Sequence, residues 1–214
     1  MDQARRVRAN GVESRQKILD AATEIAGERG YDGTSIALVS ERSGLPASSI
    51  YWHFKDKDAL LAAVVERSYG RWLAGVGGWA APGPDATRHE VLRAMLVQTA
   101  KSLLDAPDFL RLGLMLTLER RPEQVSARSV FLTVRAEAHR RTMDAFQRLF
   151  AELDGDDVRQ LATLSMAIAD GLFIANEIDG DSIDLFAAFD SAVVALLAAA
   201  QRFANRVDGR LIDE

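Results

Sequence analysis

Two stretches constrain any fold of this chain. Leu161–Ala175 is apolar except for Thr163, Ser165 and Asp170, and Phe186–Ala200 is apolar except for Asp190 and Ser191. A helix that is apolar on every side must be covered on every side. Two such helices cannot both be central in one chain of 214 residues. One solution is a four-helix interface, two helices from each of two subunits, through helices expected at about 156–177 and 182–207. The other is a purely internal core. Small residues at Ala167, Ala169, Gly171, Ala192, Ala195, Ala198 and Ala199 permit close approach. The longest unbroken apolar run, Ala192–Ala200, is nine residues. A bilayer crossing needs about 18, so no membrane-spanning segment is expected.

The rest of the chain is also helical in pattern. No stretch combines apolar/polar alternation with β-branched enrichment, so no strand is expected. Ile18, Ala22, Ile25 and Ala26 form one stripe on a helix from about Ser14 to Arg29, halted by Gly30-Tyr31-Asp32-Gly33. Thr34 or Ser35 caps a short second helix that ends at Ser43-Gly44. A third starts near Pro46 and runs to about Phe54, and Asp56 caps a fourth reaching about Leu73. Gly75-Val76-Gly77-Gly78 and Ala81-Pro82-Gly83-Pro84 make the clearest loop. Thr87-Arg88-His89-Glu90 reads as a capping box for a helix to about Leu104. Further helices are expected from Pro107 to near Arg121-Pro122 and from Ser126 to Leu153, before the two apolar ones. The fold class is therefore all-α, with about nine helices.

Composition removes several function classes. With no cysteine there is no disulfide, thiolate metal site or cysteine nucleophile. The three histidines, His53, His89 and His139, stand at no metal-ligand spacing, so no metal and no cofactor are expected. Neither a Gly-rich phosphate loop nor a Gly-x-Ser-x-Gly elbow is present, and no enzymatic role is expected. The first residues are basic but lack the apolar stretch of a secretion signal; a cytoplasmic location is the expectation. The net charge is −5, unevenly spread. Residues 1–57 carry nine Lys/Arg against eight Asp/Glu, the remainder 17 against 23. An acidic body with a basic N-terminal arm, Arg5, Arg6, Arg8, Arg15 and Lys17, is one footprint of a nucleic-acid binder.

Residues 34–54 read as helix, glycine turn, helix. Ile36, Val39, Leu45, Ile50 and Phe54 sit at the spacing of buried positions. That leaves Ala47, Ser48, Ser49, Tyr51, Trp52 and His53 on the outside of the second helix, with Lys55 and Lys57 directly after it. Exposed aromatics and small hydroxyls suit a surface that touches something, and lysine near a helix N-terminus suits phosphate. From periodicity alone a plain helical hairpin with a buried Tyr-Trp-His cluster fits equally well.

The run from Gly44 through Tyr51-Trp52-His53-Phe54-Lys55-Asp56-Lys57 to Leu61 resembles the DNA-binding core of tetracycline-repressor (TetR) family regulators. Ile18–Ala22 and Gly30–Ser35 resemble that family's first helix and turn. The resemblance covers about residues 14–65. It implies a basic arm over 1–13, a helix-turn-helix domain over 14–57, and a ligand-binding and dimerisation domain over 58–214. Thr34, Ser35, Tyr51, His53 and Lys57 match phosphate-holding positions, and Ala47, Ser48, Ser49 and Trp52 match positions facing base edges. Pro46, Ala47 and Ser48 depart from the usual pattern, where serine, lysine and glycine are common. The recognition helix therefore offers no Arg, Lys, Asn or Gln for bidentate base pairing, leaving hydroxyls, thymine-methyl contact and DNA shape.

The resemblance further implies a homodimeric repressor of double-stranded DNA, bound at a pseudo-palindromic operator and released by a small-molecule effector. A ligand-dependent activator is the alternative. A helical enzyme or a protein-interaction module with a basic arm are alternatives of another class. The fourth helix, from Asp58 to Leu73, joins the two parts. Candidate effector contacts are Trp72, Met95, Thr99, Phe109, Leu112, Met115, Leu116, His139, Met143, Asp170, Phe173 and Asn176. Each has a plainer reading: Met and Phe as core, His139 as a solvated residue among charges. Asp170 pairs with an arginine, faces a water-lined cavity or binds a ligand donor, because an unpaired buried carboxylate is expensive.

Overall fold

The computed structural model describes residues 2–76, 83, 85–119 and 126–207, with the side chains of residues 2–9, Asp181 and Val207 outside that description. The expected loop at Gly77, Gly78, Ala81, Pro82 and Pro84, and the helix end at Arg121-Pro122, lie outside the described residues. Among the described residues the fold is all-α: α1 (Asp2–Gly33), α2 (Ile36–Ser43), α3 (Ala47–His53), α4 (Lys57–Val76), α5 (Arg88–Asp105), α6 (Asp108–Leu118), α7 (Ser126–Leu149), α8 (Gly155–Asp179) and α9 (Leu185–Val207), with a 3-10 turn at Gly180–Ser182.

The local signals explain the boundaries. Gly30 breaks α1 at φ 69°. Ser35 caps α2, its hydroxyl accepting from the Leu38 amide at 3.2 Å. Gly44 closes α2 in the left-handed conformation. Asp56 caps α4 by accepting from the Ala59 amide at 2.8 Å. The Thr87–Glu90 capping box is closed in both directions, at 3.2 Å and 2.8 Å. Three boundaries differ from expectation. Helix α4 runs to Val76, taking in Gly75 and Val76, which were expected in the loop. Helix α1 begins at Asp2, not near Ser14, because residues 2–13 hold no helix breaker before Gly11, and one glycine inside a helix costs only about 1 kcal/mol. Helix α7 ends at Leu149, and after the buried Phe150 the chain makes an exposed turn at Ala151-Glu152 instead of continuing as helix to Leu153.

The chain divides into two compact units, Met1–Arg71 with Ala106–Val134, and Trp72–Asp105 with Arg135–Glu214. The division falls inside α4 and inside α7. In the first unit, α1 carries the core residues Ile18, Leu19, Ala22, Ile25 and Ala26, and packs on α2, α3 and α6. Arg67 on α4 ties back to α1 through Asp20 at 2.7 Å and Thr23 at 2.8 Å. Close to α6, Tyr69, Phe109 and Phe131 stack in sequence at 5.3 and 5.4 Å between centroids.

In the second unit, α5 and α8 both pack on α9. Arg93 bonds Asp190 at 2.8 Å, and Arg206 bonds the mostly buried Asp157 at 2.7 Å. By length and composition, Gly155–Asp179 and Leu185–Arg206 are apolar enough to cross a membrane, a property that the longest-run criterion overlooked. Only 28% and 33% of their apolar windows are buried inside the chain. Within the described residues each helix keeps an outward apolar face. On α8 that face is Leu164, Ala167, Gly171, Ile174 and Ile178; on α9 it is Phe186, Val194, Ala195 and Ala198.

Candidate nucleic-acid interface

Helices α2 and α3 meet across Gly44, and their shared inner side is held by Val39, Ile50 and Phe54, all buried. Ile36 and Leu45, expected in the same layer, are only half-buried. Arg42 braces α2 on α1 through Glu24 at 3.1 Å and Glu28 at 3.2 Å. This bracing fixes α3, whose seven residues are too few to be stable alone.

The outer side of α3 settles the choice that periodicity left open. Tyr51 is 57% exposed and Trp52 76% exposed, so the aromatics do not form a buried cluster. Ser48 and Lys55 are exposed beside them, and Ala47 and Ser49 are half-buried. His53 is half-buried, and its Nε2 lies 3.0 Å from the Ser14 hydroxyl. Burial, and then the Arg15 charge, hold its pKa below the usual 6.5, so His53 is neutral at neutral pH. Its geometry is that of a strut between α1 and α3. Arg15 lies over the Phe54 ring at 5.3 Å, and Gly11 faces the tip of the Trp52 indole. Ser14 and Gly11 were not legible as parts of this surface, because their contacts join positions about forty residues apart.

Three positions matched to phosphate also bond within the subunit. Thr34 is buried, and its hydroxyl donates to the Gly30 carbonyl at 2.7 Å. The Lys57 ammonium sits 4.4 Å from the Tyr31 ring centre and donates to the Tyr31 carbonyl at 3.1 Å. Ser35, half-buried, spends its oxygen on the α2 cap.

Next to Lys57, the Asp58 carboxylate accepts from the backbone amides of Ser126 at 2.7 Å and Ala127 at 3.2 Å, and from the Tyr31 hydroxyl at 3.3 Å. It therefore caps α7 from the first turn of α4. Burial pushes its pKa up, but the hydrogen bonds from Ser126, Ala127 and Tyr31 outweigh burial and hold it below the usual 3.8. A carboxylate with a depressed pKa stabilises the fold fully above the unfolded value, near pH 4, and loses that contribution as pH falls through the folded value. Asp58→Asn is expected to lower stability at neutral pH by about 1–2 kcal/mol. In urea unfolding, the gap between the two proteins should narrow from about pH 7 to about pH 3. A gap that widens in acid contradicts this role.

The effector candidates divide between the units. Phe109, Leu112, Met115 and Leu116 belong to the first; Trp72, Met95, Thr99, His139, Met143, Asp170, Phe173 and Asn176 belong to the second. Phe109, Leu112, Leu116, Met95 and Phe173 are buried core, and Met115 and Met143 are half-buried. Asp170 takes the first of its three options, paired bidentately with Arg135. His139 is not simply solvated, since its Nε2 lies 3.0 Å from the Thr163 hydroxyl. The Thr99 hydroxyl donates to the Met95 carbonyl at 2.9 Å, and the Asn176 carbonyl accepts the Gly180 amide. Of the twelve, Trp72 lines a cleft between α4 and α7 in the second unit.

With this geometry in place, comparison with known proteins is decisive. Residues 18–64, spanning α1 to α4, match the family model of bacterial regulatory proteins, tetR family. This segment is similar to the DNA-binding region of TetR-family regulators. The HTH-type transcriptional regulator AcrR of Shigella flexneri is 37% identical over 65 residues, 30% of this chain and 30% of AcrR. Tetracycline repressor protein class D of Escherichia coli is 37% identical over 51 residues, 24% of this chain and 23% of that protein. The TetR-type match thus spans less than a third of these curated relatives. Fold likeness extends further. The fatty acid degradation regulator FadR of Bacillus halodurans superposes with a TM-score of 0.69 over 86% of this chain and 94% of its own, at 18% identity. FadR of Bacillus subtilis, solved with stearoyl-CoA, gives 0.67 over 86% and 98%, at 19% identity. The likeness in fold therefore takes in the C-terminal helices as well.

Proposed function

We propose that this DNA-binding transcriptional regulator is a homodimeric, cytoplasmic repressor that holds a pseudo-palindromic operator and is released by a small-molecule effector. The observation that carries the DNA-facing part is the exposure of Tyr51 and Trp52 on a short helix whose inner side is fixed. The dimer is supported by the outward apolar faces of α8 and α9, with Ala167, Gly171, Ala195 and Ala198 letting a second copy approach closely. Two-fold symmetry would set the recognition helices about one DNA turn, ~34 Å, apart. Tyr51 and Lys55 are the exposed phosphate contacts on this reading, and Ser48 and Trp52 face the bases; the side chains of Arg5, Arg6 and Arg8, expected to reach the duplex, lie outside the described residues. Thr34, Lys57 and His53 act by holding the domain together. Effector release is supported by the fold shared with regulators such as FadR, which was solved with a bound acyl-CoA.

A gel shift with the promoter fragments flanking the gene, at low ionic strength, tests the reading. Retention that falls steeply with salt is expected. Tyr51→Ala should weaken binding to operator and unrelated DNA alike, by about tenfold or less, leaving the preference intact. Absence of retention on any fragment at low salt rejects the proposal.

A further inference from the structure

The cleft between the end of α4 and the outward face of α7 carries a chemical signature that the fold alone does not dictate. Its apolar wall is Trp72, Leu73, Val76 and Ala138, of which Trp72, Val76 and Ala138 are buried. Its charged rim is Arg141, Asp144 and Arg148, one face of α7 at helical spacing. Its volume is about 150 Å³. An apolar cavity of that size accepts a single benzene ring.

The rim charges are not equivalent. Glu137 holds Arg140 at 2.8 Å and Arg141 at 2.7 Å, and these two arginines, Arg140 first, lower its pKa to about 2. Arg141 is thereby committed. Asp144 bonds Arg140 at 2.7 Å. Arg148 stands four residues beyond Asp144, close enough to pair with it, yet makes no ion pair among the described residues and is exposed. The cleft thus presents an apolar wall, one uncommitted guanidinium and one carboxylate that is already neutralised.

We propose that this cleft binds a monoanionic carboxylate on a single ring or short chain, the apolar body against Trp72 and Ala138 and the carboxylate on Arg148. A planar guanidinium matches a carboxylate through two parallel N–H···O bonds. One free positive charge beside Asp144 suits a monoanion and disfavours a dianion such as a phosphate monoester. A cationic ligand is repelled by Arg148. The inference deepens the effector-release reading and rests on it for its regulatory meaning; the site itself stands on the cleft.

The test uses the full chain and four probes of one shape: benzoate, benzamide, benzylammonium and phenyl phosphate. In titration calorimetry, benzoate is expected to bind at least about tenfold more tightly than the other three. Arg148→Gln, an exposed change that leaves the wall intact, should bring benzoate down to the benzamide level. Ala138→Leu should fill the cleft and weaken benzoate and benzamide together. Equal binding of benzoate and benzamide overturns the proposal, and so does undiminished benzoate binding in Arg148→Gln or no benzoate binding at millimolar concentration. A gel shift with benzoate separates the two readings. Binding without release of DNA upholds the site and rejects effector control through it. Release by some other compound, with no benzoate binding, rejects the site and leaves effector control standing.

Discussion

Replacing Gly113 by alanine is expected to destabilise the protein by about 3 kcal/mol or more, the upper range for overpacking a core. A Cβ at this position would lie 1.9 Å, 2.2 Å and 2.4 Å from three carbons of the Phe131 ring. No real contact is that short, so the ring or the α6 backbone must move. Neither has room. Phe131 is 2% exposed and stacks on Phe109, which stacks in turn on Tyr69. Close packing transmits the shift instead of absorbing it. Urea unfolding followed by circular dichroism reads the effect directly. A loss under about 1 kcal/mol would mean that α6 and Phe131 adjust far more freely than their packing indicates.

The second large effect concerns assembly. Val194→Asp is expected to convert the proposed dimer to a monomer and to weaken operator binding by about a hundredfold or more. Within one subunit Val194 is 62% exposed, so aspartate there is solvated and leaves the subunit's own fold intact. In the dimer the same carboxylate would be removed from water against apolar Leu164, Ile174 or its own copy. Uncompensated burial of a charge costs several kcal/mol. Loss of pairing also removes the effective concentration that lets one half-site assist the other. Light scattering gives the mass and a gel shift gives the affinity. A monomer that keeps full operator affinity would separate DNA binding from dimerisation. A persistent dimer would place the interface away from this face.

How much of this could be read in the sequence follows from the range of each interaction. Caps and breaks are local, so Ser35, Gly44, Asp56 and the Thr87–Glu90 box stand where expected. The stripe Ile18, Ala22, Ile25 and Ala26 is buried because a 3.6-residue period maps directly onto one helix face. The extent of α1 was less legible, since Gly11 looks like a break and nothing local says that the helix passes through it. Long-range pairings were invisible: Ser14 with His53, Asp58 with Ser126 and Arg135 with Asp170 join residues that no periodicity relates. Nor was it legible that Thr34 and Lys57, matched by resemblance to phosphate-holding positions, bond within the subunit. Among the effector candidates, bulky apolar character selected core residues, whereas the charged rim of the α4–α7 cleft lay among arginines that read as a solvated face.

The Asp58 cap has a mechanical consequence. Rotating α4 by one residue position, about 100°, would swing this carboxylate off Ser126 and take its hydrogen bonds from two amides of α7, at about 0.5–1.5 kcal/mol each. Motions of α4 that keep the cap are therefore cheap, and motions that break it are not. The first turn of α4 behaves as the pinned end of a lever, and any displacement available to the helix grows with distance from that pin.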